Sequence, residues 1–133
     1  MLDESILLTA TLRSQITEAI RQARTEIRWK PGKAQFHLAK RIRLGHLANT
    51  ATLADYELII RLVLSDMDAV VYGFRYNNLL YPTVVAWYQG YLWLVMLGLD
   101  GIMETAFPPD EPISYFQNPK YQRLGLLEEF YDE

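Results

Sequence analysis

The stretch FHLAKRIRLGH, residues 36 to 46, contains both histidines of the chain together with Lys40, Arg41 and Arg43. On a helix, Lys40 and Arg41 lie three and four residues beyond His37 and share its face. An imidazole with an ordinary pKa of about 6.5 takes or gives a proton near neutrality. A guanidinium or ammonium beside it holds a phosphate and stabilises negative charge as it builds. The trio therefore suits phosphodiester chemistry, with His37 and Arg41 as catalytic candidates and Lys40 as a substrate-binding one. The plainer reading is a solvated basic helix face. His46 follows His37 by nine residues, about half a turn out of phase on an uninterrupted helix. The pair is not a metal-binding i, i+4 couple and no HExxH accompanies it, so no metal and no cofactor is expected. His46 reads as a loop or capping residue, the lesser alternative being that it joins the site.

The second candidate stretch is LDGIMETAFPP, residues 99 to 109. On a regular strand Met103, Thr105 and Phe107 share one face, while Ile102, Glu104 and Ala106 share the other. Thr105 can donate a hydrogen bond to a phosphate, or it is a threonine favoured by a strand. Glu104 reads as solvated or paired to a base on the helices, with a general-base role as the alternative. Arg75, the only basic residue between Arg61 and Lys120, sits with Tyr76 and Tyr81 around one hairpin. Arg75 and Tyr81 could bind phosphate and stack on a base. Equally, the tyrosines could line a half-buried sheet. There is no phosphate loop, no GxGxxG and no GxSxG.

Three helices must position these residues. The first is expected from roughly Asp3, as N-cap, to Trp29, with a stripe of Leu12, Ile16, Ala19, Ile20, Ala23 and Ile27. It stops at WKPG, where Pro31 and Gly32 break it. A second runs from about Lys33 to Leu44, ended by Gly45. A third starts after Thr52, whose hydroxyl can cap Ala54 or Asp55. The period then changes. AVVYGFRY, LLYPTVVAWY, YLWLVML and GIMETAF read as four strands joined at NN, QG and GLDG. Both faces of YLWLVML are apolar, so it should be central and covered on both sides. The expected fold is one α+β domain over residues 1–133. N-terminal helices pack on one face of a four-stranded antiparallel meander, and residues 111–133 form an acidic tail with a short helix.

Composition bounds the rest. A chain of 133 residues, half of them hydrophobic, can bury about two-thirds of its unfolded surface in one core. No cysteine is present, which excludes disulfides and thiolate metal sites and fits a cytoplasmic protein. The first residues lack a positive n-region, so no signal peptide is expected. Residues 76–99 carry no charge, but Asn77, Asn78, Pro82, Gln89 and Gly90 punctuate them as strands and turns rather than a membrane span. The net charge of −3 hides a half, residues 1–66, at +3 and a half, residues 67–133, at −6. From Arg28 to Arg43 six Lys/Arg meet no acid, a patch a polyanion such as RNA could meet.

The order of these parts carries a resemblance. HxxxR in HLAKR, then TLADYELIIRLVLSD, then an LY-containing hairpin, then WLVMLGLDGIMETAFPP resembles small domains of the barnase–EndoU–colicin–RelE-like (BECR) nuclease superfamily, in its uncharacterised bacterial and phage branches. The match covers roughly residues 34–110. The resemblance implies metal-independent RNA cleavage through attack of a 2′-hydroxyl on the adjacent phosphate. It makes His37 the acid or base, Arg41 the phosphate clamp and Thr105 a donor on the last strand. The leading expectation is thus a toxin- or stress-type endoribonuclease. Its rival is a non-catalytic module on the same scaffold, binding a protein partner or a second copy of the chain. A third is a small-molecule pocket in the Trp- and Tyr-rich sheet. The RNase reading requires His37, Arg41 and Thr105 to converge on one exposed cleft.

Overall fold

A computed structural model describes residues 6–131. Helix α1 spans Ala10–Thr25, and the Thr9 hydroxyl accepts from the Leu12 N–H at 3.1 Å as its N-cap. The expected cap at Asp3 lies outside the described residues. The helix ends before Trp29 because the following segment is captured by the sheet. Trp29 forms a parallel bridge with Met103, and the Met103 N–H donates to the Arg28 carbonyl at 2.9 Å. Helix α2 spans Lys33–Arg43 and helix α3 spans Leu53–Leu64. At the start of α3 the Asp55 N–H donates to the Thr52 hydroxyl at 3.2 Å, while the Thr52 N–H donates to the Asp55 carboxylate at 2.8 Å. This reciprocal capping box fixes where the helix begins.

Strands β1 (Val70–Tyr76), β2 (Leu79–Tyr88), β3 (Tyr91–Leu97) and β4 (Met103–Phe107) form the expected antiparallel meander. Both two-residue turns carry positive φ at each central position, Asn77 and Asn78 at 51° and 64°, Gln89 and Gly90 at 48° and 85°. That is the type I′ geometry whose twist matches paired strands. The sheet has five strands, not four. Tyr121–Leu126, expected as helical tail, is strand β5 and pairs with β1, giving the order β4-β3-β2-β1-β5. Pairing removes an open edge that β1 would otherwise present. The chain after β5 makes a 3₁₀ turn, Leu127–Phe130, with Leu127 and Phe130 fully buried.

Each face of the sheet is covered. The helices pack on one face, where Ile16, Ile20, Tyr56 and Ile60 meet Val71, Val84, Trp93 and Val95. On the other face Val85, Leu94 and Met96 lie under an aromatic cluster that includes Tyr115, Phe116 and Tyr121. Tyr115 ends a one-turn helix, α4 (Pro112–Tyr115). Strand β3 is therefore interior and buried on both sides, as its composition requires. In β4 strict alternation fails. Met96 pairs with Thr105 but Leu97 pairs with Met103, so Glu104 is an extra residue in a bulge. Met103 and Ala106 consequently both reach the helix-side core. No helix among the described residues is long and apolar enough to cross a membrane.

Tyr56 ties α3 to the β4 edge. It is fully buried, and its hydroxyl donates to the Ala106 carbonyl at 2.5 Å. Burial pushes its phenol pKa upward, so it is a donor at all ordinary pH. Replacing Tyr56 by Phe strands that carbonyl without its partner. The expected loss is about 1–3 kcal/mol of unfolding free energy, read from urea denaturation; a midpoint equal to wild type would show that the bond contributes nothing.

Candidate active site

The site begins with how α2 ends. Gly45 has φ 78°, a left-handed conformation that glycine adopts without steric penalty. The Gly45 N–H donates to the Ile42 carbonyl at 3.0 Å and the His46 N–H to the Arg41 carbonyl at 2.9 Å. This pair of bonds is a Schellman motif, which brings the second residue past the cap back over the last turn. A hydrophobic contact usually forms there. Here the contact is polar, with an Arg41 Nη1 3.2 Å from His46 Nδ1. A guanidinium can only donate, so Nδ1 accepts and the His46 proton sits on Nε2.

Arg41 is 3% exposed. Its guanidinium lies over the Phe107 ring at 5.1 Å, a cation–π contact. Its Nε has no hydrogen-bond partner. The ion pairs among the described residues are Arg21–Glu18 and Lys30–Glu104, so no carboxylate neutralises Arg41 there. Burial weighs against its charge. Glu104 is thereby accounted for as the partner of Lys30, at 2.9 Å.

His37 is held by aromatic contacts. Its ring stacks on Trp29, with centroids 5.4 Å apart and planes 30° apart, and meets the Phe36 ring edge-on. The indole is itself fixed, since its N–H donates to Glu57 at 2.8 Å. The His37 Nδ1 is buried and unpartnered. Burial, then the charges of Arg41, Lys33 and Lys40, lowers the His37 pKa, with Glu104 opposing. Burial and Arg41 lower that of His46, with Asp110 opposing. Both shifts favour the neutral imidazole.

These side chains open on one groove of about 810 Å³ along the β4 edge. His37, Lys40, Arg41, His46 and Thr105 line it, with Phe107 and the turn from Pro108 to Glu111 opposite α2. The carboxylates of Asp110 and Glu111 stand exposed on that turn, so an anion meets less resistance from the α2 side. The structure thus brings together His37, Lys40, Arg41 and Thr105. It does not bring Arg75 and Tyr81 there. Arg75 lines a separate hollow at the β1–β2 hairpin with Tyr76 and Lys120. Tyr81 packs near Phe74 in the aromatic cluster. Two strands separate Arg75 on β1 from β4 and one separates Tyr81 on β2 from it, about 14 and 10 Å at ordinary strand spacing.

His46 lies in the turn that closes α2 and meets Arg41 there. The half-turn offset from His37 holds only if the helix continues, and Gly45 stops it. The usable signal was Gly45 itself, because a C′ glycine predicts contact between His46 and Arg41. Among the described residues no group of three His, Asp or Glu is placed to hold a metal. Compared with known proteins, the chain matches no family model, no curated protein and no solved structure.

Two outcomes follow from this electrostatic arrangement. Arg41→Met replaces an uncompensated buried charge with an apolar chain of similar length. The fold should be unchanged or up to about 4 kcal/mol more stable, while the thermal stabilisation given by inorganic phosphate disappears; a strongly destabilised variant would contradict the account. The histidines act on pH dependence. Their folded pKa values lie below the ordinary 6.5, so below pH 6.5 the unfolded chain binds more protons and stability falls as pH drops. Above 6.5 their contribution is flat. His46→Gln should lose less stability than wild type between pH 7 and about 5, measured as Tm against pH; parallel curves would exclude His46 from the effect.

Proposed function

We propose that the groove holds a phosphodiester of RNA and cleaves it without a metal, by attack of the ribose 2′-hydroxyl on the adjacent phosphorus. The observation that carries this reading is Arg41, a guanidinium 3% exposed, without a carboxylate among the described residues, lining a groove with two imidazoles. A cation so placed lacks an anion, and a phosphate supplies one with matching two-pronged geometry. The resemblance of HLAKR and METAFPP to BECR nucleases supports the same class of reaction.

In this reading His37 takes the proton from the 2′-hydroxyl as O2′ bonds to phosphorus. Arg41 turns from His46 to the non-bridging oxygens, which frees His46 Nδ1. The bound phosphate raises the His46 pKa, so His46 takes up a proton from solvent. It then gives a proton to the 5′-oxygen as the P–O5′ bond breaks. The products are a 2′,3′-cyclic phosphate and a 5′-hydroxyl end. Thr105 donates to the phosphate and Lys40 adds positive charge at the groove.

Purified protein should cut total RNA in EDTA, leaving cyclic phosphate ends. His37→Ala and Arg41→Ala should lower the rate by about 10²–10⁴-fold, and a 2′-deoxy substitution at the scissile nucleotide should abolish cutting. Cleavage that needs a metal, or that survives both substitutions, overturns the mechanism. Phosphate binding without any cleavage would favour the non-catalytic module.

A further inference from the structure

His46 lines two hollows. Beside the Arg41 groove lies a smaller one of about 300 Å³, walled by Asp55 of α3 and by Tyr88, Gln89, Tyr91 and Trp93 of the β2–β3 hairpin. The two differ in chemistry. The first gathers Lys40, Arg41 and two imidazoles; the second, among the described residues, has no Lys or Arg and sets Tyr88, Tyr91 and Trp93 against the aliphatic Leu47, Leu58 and Ile59. Its one carboxylate, Asp55, repels a phosphate.

The walls are suited to a flat, uncharged, hydrogen-bonding group. Tyr88 and Tyr91 are cross-strand partners flanking the turn, and Tyr91 is 67% exposed. Trp93 is buried beneath. Gln89 occupies a left-handed turn position where Asn, Asp or Gly is ordinarily preferred, and it sets a primary amide at the rim. Asp55 uses Oδ2 to cap α3, which leaves Oδ1 as an acceptor. The volume is at the small end for a ligand site and admits one ring system, not an oligonucleotide.

We propose that this hollow is a nucleobase subsite. The base next to the phosphate held at Arg41 stacks on Tyr91 and presents its edge to Gln89 and Asp55, with His46 between base and phosphate. The assignment rests on the phosphate-binding reading of the groove. It gives the protein a base preference without any base-reading contact from the basic helix.

The test is titration of the full chain with inorganic phosphate and with the 3′-monophosphates of the four nucleosides, by calorimetry and amide NMR shifts. At least one nucleotide should bind about fivefold or more tighter than phosphate, the lower end of what stacking one base contributes. Its binding should shift the Gln89 and Tyr91 amides. Tyr91→Ala should reduce nucleotide affinity to the phosphate value and leave phosphate affinity and Tm unchanged, since the ring is exposed. Phosphate binding with no nucleotide preference, or a preference that survives Tyr91→Ala, overturns the base subsite alone. Binding of neither ligand by wild type overturns the groove reading and the subsite with it.

Discussion

A guanidinium buried without a carboxylate partner among the described residues is the constraint around which this part of the molecule is arranged. Taking such a charge out of water carries a penalty of several kcal/mol, and three features offset it. Arg41 lies in the last turn of α2, where the helix dipole favours a cation. Phe107 offers the face of its ring, and His46 offers a lone pair. None of these is a full negative charge, so the offset is partial.

The scaffold serves that arrangement from both sides. α2 must meet the β4 edge, and α3 fixes that edge through the Tyr56 bond to Ala106. The segment before α2 joins the same strand through Trp29, whose ring also seats His37. The bulge at Glu104 changes the phase of β4, so Met103 and Ala106 fill the core while Thr105 and Phe107 turn to the groove. Pro108 and Pro109 then carry the chain across the groove. They lead to the aromatic cover on the other face of the sheet, where burial holds the Tyr121 phenol protonated and bonded to Tyr115.

Much of this was legible along the chain. The stripe of α1, the capping signal at Thr52, the turn dipeptides NN and QG and the doubly apolar YLWLVML each rest on contacts within a few residues, and each appears in the structure. Helix α1 was read too long at both ends: it starts only after the Thr9 cap, and Ile27 keeps the helical period while the backbone beyond Glu26 pairs with β4. β5 was missed for a similar reason. YQRLGL has a weak alternation interrupted by Gly125, and its partner Val70–Tyr76 is some fifty residues distant in sequence. Nothing local announces such a pairing.

For the candidate site, the sequence by itself determined the ingredients and one adjacency: His37, Lys40 and Arg41 share a helix face because helical periodicity is a local property. Gly45 also encoded the return of His46 to Arg41, through the steric freedom that permits a Schellman turn. Only the tertiary structure decided the rest. It set β4 rather than β1 against α2, brought Thr105 in and left Arg75 and Tyr81 out, and withdrew Arg41 from water with no ion-pair partner among the described residues. Those outcomes depend on strand order and on which side chains the core excludes from solvent, and both are properties of the whole packed chain.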